Sequence, residues 1–372
     1  MDQVNDFVNF GFSVGMSAAI KEAYGKKYLP SPSVGCALLD SSNKVILQTY
    51  HKGKNTDHAE IAMLNIIKEQ NISTSDKSLY ITLEPCLHDD TSPSCAKTLA
   101  ETNIFNNIVI GDIDPDLRTN GKGYEFLMKT TNIKLEKGAT SFVDPSYIAV
   151  KTNLNQKNKV PYIISKIALS QDSYVYRKNG PRYITSTYSR KLGHYLRGVV
   201  DGIIIGKNTL IVDDPKLNIR HDISAKEPRK FILWGKEENS LKIYLEKYKE
   251  FEFITSFEYD NNRVHTLGEF TLENILEYLY NNNVFSILVE GGPETWRSFI
   301  PYSEKIFVFK SKKEINEGIK FNFESEISNY VNIYLENNIS EDTLSIYNRT
   351  ADWYVYRNYT EYWSGKSNIK WE

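Results

Sequence analysis

Four side chains of this sequence have the types and order of a hydrolytic metal centre. They are His58 and Glu60 in Asp57-His58-Ala59-Glu60, Cys86 in Thr82-Leu83-Glu84-Pro85-Cys86, and Cys95. One imidazole and two thiolates fill three positions of a tetrahedral zinc site and leave the fourth open, as a catalytic site requires. Zinc held in this way lowers the pKa of water to about 7. A carboxylate that need not bind the metal, here Glu60, can carry a proton from that water to a leaving amine. Taken singly, each residue is ordinary: a lone His or Glu is usually solvated, and a Cys after Pro is often a turn residue. Their joint order points to zinc, because His58 and Cys95 fall at expected helix starts, where thiolate is favoured over thiol.

The elements that must hold these groups follow from the local pattern. Residues 4–23 are loosely helical. Residues 34–39 and 44–50 read as strands joined by the turn formers Asp40-Ser41-Ser42-Asn43. Residues 59–69 read as a helix with Ile61, Met63, Leu64, Ile66 and Ile67 available to face a sheet. A strand over 78–83, a helix from Pro93 to 101 and a strand over 108–110 complete an alternation that argues for α/β architecture. Such folds place their sites in loops at strand ends. Cys36, in the apolar run over 34–39, reads as core.

With 372 residues, 41% hydrophobic and 25% charged, the chain suits a globular protein of two domains. A net charge of −2 provides no footprint for a nucleic-acid backbone. No apolar run reaches the length of a membrane span, and the N-terminus lacks the basic and apolar regions of a signal peptide. Three cysteines argue against a disulfide framework. The expected setting is cytoplasmic, with neither nucleic acid nor membrane as partner.

The polar run around residues 151–159 reads as a solvated connector. Beyond it, strands are expected over 162–169, 202–205, 231–234, 251–254 and 285–289, with a helix over 186–197. The last strand runs into Glu290-Gly291-Gly292-Pro293, where backbone amides could approach a phosphate. A Gly-Gly pair after a strand is, by itself, more often a tight turn.

Eight residues (87–94) separate Cys86 from Cys95, and Pro32, Val34-Gly35-Cys36, Asp114-Pro115 and Gly121-Lys122-Gly123 accompany them. In this the first half resembles the deaminase half of the bifunctional riboflavin-biosynthesis deaminase/reductase family (the RibD type). The second half resembles its reductase half through His194, Leu196, Arg197 and Asp201, through Gly206, Thr209, Asp213-Asp214-Pro215, Leu217 and Arg220, and through Val289-Glu290-Gly291-Gly292.

The resemblance implies a cytidine-deaminase-like three-layer α/β domain over 1–145, a linker over 146–159 and a dihydrofolate-reductase-like α/β domain over 160–346. An aromatic-rich tail over 347–372 is left over; Trp353, Tyr354, Trp363 and Trp371 in it are expected to dock on the body or on a partner subunit. The implied substrate is a small pyrimidine ribosyl phosphate, deaminated with zinc and then reduced with NADPH so that ribosyl becomes ribityl. Carried over residue by residue, His58, Cys86 and Cys95 hold zinc and Glu60 moves the proton. Ala168, Tyr183, Thr209, Asp213 and Gly292 contact the cofactor. Leu217 and Glu290 contact substrate, and Arg197 and Arg220 clamp its phosphate. Lys166 and Asp172 lie near the reacting sugar.

The chain departs from the family pattern at Ser31 (usually Asn), Asp90-Thr91 (Gly-Arg), Ser173 (Gly) and Pro181 (Ser). Two alternatives stay open at this point: a paralogue with one active half or a changed pyrimidine, and a zinc-retaining scaffold without turnover. Glu60, which a structural zinc site does not need, counts against the second. A homo-oligomer is left open.

Overall fold

The alternation of strand and helix is realised as two units, Met1–Lys157 and Asn158–Glu372, each on its own sheet. A computed structural model describes residues 12–27, 29–88, 93–156, 159–176, 183–221, 223, 225–327, 330–332, 337–339 and 341–349. Asp90, Thr91, Pro181 and the aromatic tail from residue 350 onward lie outside the described residues. Among those described, no helix is long and apolar enough to cross a membrane.

The first unit runs α1 (Val14–Ala23), β1 (Gly35–Leu39), β2 (Val45–Tyr50), α2 (Ala59–Glu69), β3 (Ser78–Ile81), α3 (Cys95–Thr102), β4 (Asn107–Ile110), α4 (Lys122–Leu127), β5 (Ile133–Leu135), α5 (Ala139–Val143) and α6 (Pro145–Gln156). The sheet order is β2-β1-β3-β4-β5. β1 is antiparallel to both neighbours, while β3, β4 and β5 are parallel. Every residue of β1 is buried, as a strand covered on both faces must be. Helix α1 covers one of those faces with Met16, Ala19, Ile20 and Ala23. Helix α3 starts two residues later than expected because Ser94 caps it, its hydroxyl accepting the Lys97 N–H.

The largest departure from expectation is the linker. Most of the expected linker is not a solvated connector: Pro145–Gln156 is helix α6, with Tyr147, Ile148, Ala149 and Asn153 buried. The polar composition concealed a buried stripe, because Asn153 is only 2% exposed despite its amide. Asp144 starts the helix: its buried carboxylate accepts the Tyr147 N–H at 3.1 Å and, across the unit, the Ser33 N–H at 2.9 Å.

The second unit runs β6 (Tyr162–Leu169), β7 (Tyr174–Tyr176), α7 (Thr187–Val199), β8 (Gly202–Gly206), α8 (Lys207–Asp213), β9 (Arg229–Gly235), α9 (Leu241–Lys247), β10 (Phe251–Thr255), β11 (Val264–Thr266), α10 (Leu272–Asn281), β12 (Ser286–Val289), α11 (Pro293–Phe299), β13 (Lys305–Ser311), β14 (Ile319–Lys320), β15 (Tyr330–Asn332), β16 (Asn337–Ile339) and β17 (Asp342–Arg349). The sheet order is β11-β10-β9-β8-β12-β6-β13-β17-β15, with β16 also on β17. The strands from β11 to β13 are parallel, and β17 returns antiparallel along β13. Their apolar runs are explained by burial on both faces: all four residues of β12 and the first four of β8 are buried. β17 extends past the expected domain end, so Tyr347 pairs with Ile306 and packs on the core.

If α6 is an integral layer, Asp144→Ala leaves two buried N–H groups without an acceptor. The variant should lose about 3 kcal/mol in urea unfolding of the full chain. A change within about 0.5 kcal/mol, as at an ordinary surface position, would restore the solvated connector.

Candidate active sites

The first unit gathers its metal-type ligands from three separate places. His58 is the N-cap of α2, Cys86 lies in the loop after β3, and Cys95 is the first residue of α3. The His58 Nδ1 is 3.3 Å from the Cys95 Sγ and 3.7 Å from the Cys86 Sγ. One donor atom from each of the three lies within 4.8 Å of the others. An N,S,S donor set converging this closely, with Cys95 fully buried, fits a zinc ion. The Cys95 thiol beside it holds Cys86 well down, at about 4, so the thiolate that ligation needs is the favoured form. Glu60 stands in the first turn of α2, 3% exposed, and burial pushes its carboxyl up.

The loops that carry these ligands are tied from behind. The Cys86 carbonyl accepts the Ser94 Oγ–H at 2.9 Å and the Ala96 N–H at 3.0 Å, which fixes Cys86 against the start of α3. The buried carboxylate of Glu84 accepts the N–H groups of Asp114 (3.0 Å), Gly121 (2.8 Å) and Tyr124 (2.9 Å). Gly123 is required at that junction, since a Cβ there would meet the Pro85 carbonyl oxygen at 2.1 Å. A cavity of about 250 Å³ opens on His58, Glu60 and Cys86, with Ser31 also on its wall.

Sequence reasoning missed several residues of this cavity. Asp114 and Asp116 line it together with Tyr147 and Lys151 of α6. The Tyr147 O–H donates to Asp114 at 2.8 Å, and burial pushes the Asp114 carboxyl up to about 6. Asp114-Pro115 was visible as a motif without a role. Nothing local marks Tyr147 or Lys151, because their partners are more than thirty residues away.

In the second unit a cavity of about 1430 Å³ lies at the carboxyl ends of β6, β8 and β12. Ligands bind there in open α/β sheets, where the strand order reverses. It brings together Lys166, Ala168 and Tyr183, then Thr209, Asp213 and Leu217, then Arg197, Arg220, Glu290 and Gly292. Tyr183 is half exposed, and the Arg190 guanidinium lies 4.2 Å above its ring.

Two of the expected site residues are already engaged by the protein itself. Asp172 is not on the cavity wall: its carboxylate accepts the Ser170 Oγ–H at 2.6 Å and the Asn316 N–H at 2.8 Å, so it pins a loop. Next to it Ser173, where the family has glycine, takes the left-handed conformation with φ +68°. The second is Arg197, expected to clamp the phosphate together with Arg220. Its Nε and Nη2 donate to Glu290 at 2.6 and 3.0 Å, and its Nη1 donates to the Asn218 carbonyl at 2.8 Å. Three of its five N–H groups are therefore committed, and an anion meets only the remainder of the fork.

Electrostatics in this cavity centre on Glu290. Burial pushes its carboxyl up, but Arg197 and Lys166, the latter 3.7 Å away, outweigh it and hold Glu290 down to about 2. Burial lowers the Lys166 ammonium against the pull of Glu290. His194 is 4% exposed and pushed down to about 3, first by burial and then by Arg197. Its Nδ1 accepts the backbone N–H of Arg220 at 3.2 Å, which assigns the ring proton to Nε2.

For a dinucleotide cofactor the fit rests on Gly292 and Thr209. A Cβ at Gly292 would come within 3.3 Å of the Thr209 Oγ1, so a side chain would occupy the space between α8 and α11.

Comparisons with known proteins find matches to both units. Residues 13–111 match the cytidine and deoxycytidylate deaminase zinc-binding region, and residues 161–302 match the RibD C-terminal domain. A riboflavin biosynthesis protein RibD of Aquifex aeolicus is 30% identical over 307 residues, covering 78% of this chain and 83% of that protein. A RibD protein of Chlamydia trachomatis is 25% identical over 296 residues, covering 73% and 75%. Among solved structures, the fold is similar to a diaminohydroxyphosphoribosylaminopyrimidine deaminase/5-amino-6-(5-phosphoribosylamino)uracil reductase of Thermotoga maritima. The TM-score is 0.63 at 23% identity, over 90% of this chain and 98% of the other. It is also similar to the RibD of Acinetobacter baumannii, with a TM-score of 0.57 at 21% identity over 90% and 98%.

Glu290→Gln leaves the Arg197 charge buried without its counter-ion and should destabilise the chain by about 3 kcal/mol at pH 7. Because the folded pKa of Glu290 is depressed, its contribution is complete above the unfolded value of about 4.3 and is lost as pH falls towards about 2. The stability gap between the two proteins should therefore shrink over that window. A gap that stays constant with pH would show that the charge of Glu290 is not what stabilises.

Proposed function

The chain belongs to the RibD family of riboflavin-biosynthesis proteins, and from that premise we propose how its two units divide a bifunctional reaction. The first unit hydrolytically deaminates a diaminohydroxyphosphoribosylaminopyrimidine. The second reduces the resulting 5-amino-6-(5-phosphoribosylamino)uracil with NADPH, converting its ribosyl group to ribityl. These are the activities named for the Thermotoga maritima enzyme of the same fold. The observation that carries the reading is a buried Glu60 beside the His58, Cys86 and Cys95 cluster, since a purely structural metal site has no use for a desolvated carboxylate.

Zinc held by His58, Cys86 and Cys95 supplies Lewis acidity that activates water at neutral pH. Glu60 takes a proton from the attacking water and returns it to the departing amine, so that a C–N bond breaks, a C–O bond forms and ammonia leaves. Ser31, Asp114 and Tyr147 line the space for the base and its sugar.

In the second unit NADPH supplies the hydride. Ala168, Thr209, Asp213 and Gly292 bind the cofactor in this reading, with Tyr183 offering an aromatic face; all five line the one cavity. Leu217 and Arg220 position the ribosyl phosphate. A hydride delivered to C1 of the sugar would form a C–H bond as the bond from C1 to the ring oxygen breaks, and the freed oxygen would take a proton, for which Lys166 is the ammonium on the cavity wall. The Glu290 carboxylate, itself fixed by Arg197, holds that ammonium in place. Uncrosslinked Cys86 and Cys95 suit a reducing cytoplasm.

Ammonia release and NADPH oxidation are measured separately, each on its own substrate, with the full-length metal-replete protein. Glu60→Gln should lower ammonia release by at least about a hundredfold, with zinc content and NADPH oxidation unchanged. Deamination that survives the substitution would remove Glu60 from its role, and a wild type silent in both assays would overturn the whole reading.

A further inference from the structure

We propose that Lys151, with Arg118 on the other side of the Asp116 carboxylate, reads the phosphate of the deaminase substrate; this rests on the ribosyl-phosphate substrate proposed above. The deaminase cavity is unfavourable for an anion over much of its wall, since Glu60, Glu84, Asp114 and Asp116 all line it. Imidazoles aside, Arg118 and Lys151 are its only cationic side chains among the described residues. Among the described residues, a dianionic group entering with the base has one cationic place to go.

The two cations are built into that place. The Lys151 Nζ is 2.7 Å from Asp116 Oδ2, and Arg118 donates from Nε to Oδ1 at 3.1 Å and from Nη2 to Oδ2 at 2.8 Å. The Asp116 carboxylate thus draws both cations to one stretch of the wall. Asp116 is fixed in its turn, because its Oδ1 also accepts the Arg118 backbone N–H at 3.0 Å. Lys151 is only 17% exposed and carries three donors, and it rises from α6 beside Tyr147, whose ring lies 5.6 Å from the ammonium. A lysine held this far out of water at a cavity wall is costly as mere decoration of a surface. Charge-assisted hydrogen bonds to phosphate oxygens are the strong kind that such an ammonium offers. Helix α6 thus joins the deaminase core and also supplies its anion-reading cation.

The test compares the phosphorylated pyrimidine substrate with the same compound after dephosphorylation, following ammonia release by the full-length protein. Lys151→Met should lose at least about tenfold more kcat/KM on the phosphorylated compound than on the dephosphorylated one. The loss should lie in KM, and Lys151→Arg should recover most of it. Arg118→Met, at a more exposed position, should shift the same ratio in the same direction and weaken inhibition by inorganic phosphate. Equal losses on both compounds, or none on either, in the Lys151 and Arg118 variants would overturn the inference while leaving the proposed deamination intact. A wild type that releases no ammonia from the phosphorylated compound overturns both.

Discussion

A carboxylate removed from water costs several kcal/mol unless its oxygens find donors, and both units depend on having met that condition at one buried glutamate. In the first unit it is Glu84, whose oxygens take three backbone N–H groups from the loop after β4 and the start of α4. Glu84 stands two residues before Cys86, so the loop bearing a metal-type ligand cannot shift without leaving a buried charge unpaired. In the second unit it is Glu290, at the end of β12, gripped by Arg197 of α7. These contacts join segments 30 to 93 residues apart, which local propensity cannot do.

The same device recurs wherever a loop must hold its shape. Asp112 accepts the N–H groups of Gly138 and Thr140, both at 2.8 Å, and so holds the start of α5. Asp144 performs the same task for α6 and reaches back to Ser33, just before β1. The Glu304 carboxylate accepts the Ile163 N–H at 2.6 Å, at the junction of β6 and β13. Acidic side chains bonded to backbone N–H groups need no matching base in the sequence, so they leave no charge pattern to read.

This separates what was legible in the chain from what was not. The chemistry at His58, Glu60, Cys86 and Cys95 was legible because ligand types and spacing are local facts, and β1, β6 and β12 because buried parallel or central strands are continuous apolar runs. Helix α6 was illegible. Its Lys, Asn and Gln content describes a solvated chain, and only packing against the unit makes Asn153 and Tyr147 interior residues. The engagement of Arg197 with Glu290 was not legible, since that partner is 93 positions away. The loop contacts of Asp172 were hidden for the same reason: the backbone groups it holds, at Ile315 and Asn316, are distant in sequence.

The two cavities also differ in the way their chemistries require. Hydrolysis consumes water, and the smaller cavity is lined by groups that hydrogen-bond or ionise, His58, Glu60, Asp114 and Asp116 among them. Hydride transfer needs a dinucleotide and a sugar phosphate side by side, which accounts for a cavity of about 1430 Å³ at the ends of three parallel strands. The glycines there do not all serve one purpose. A Cβ at Gly291 would come within 2.5 Å of the Thr295 Cβ, so that glycine lets α11 lie close against β12. Gly292 faces Thr209 instead, at a distance where a side chain would intrude on the cleft itself. One glycine of the pair therefore serves packing, and the other keeps the cleft beside Thr209 open. The Gly-Gly signal was ambiguous in sequence because both demands fall on adjacent residues.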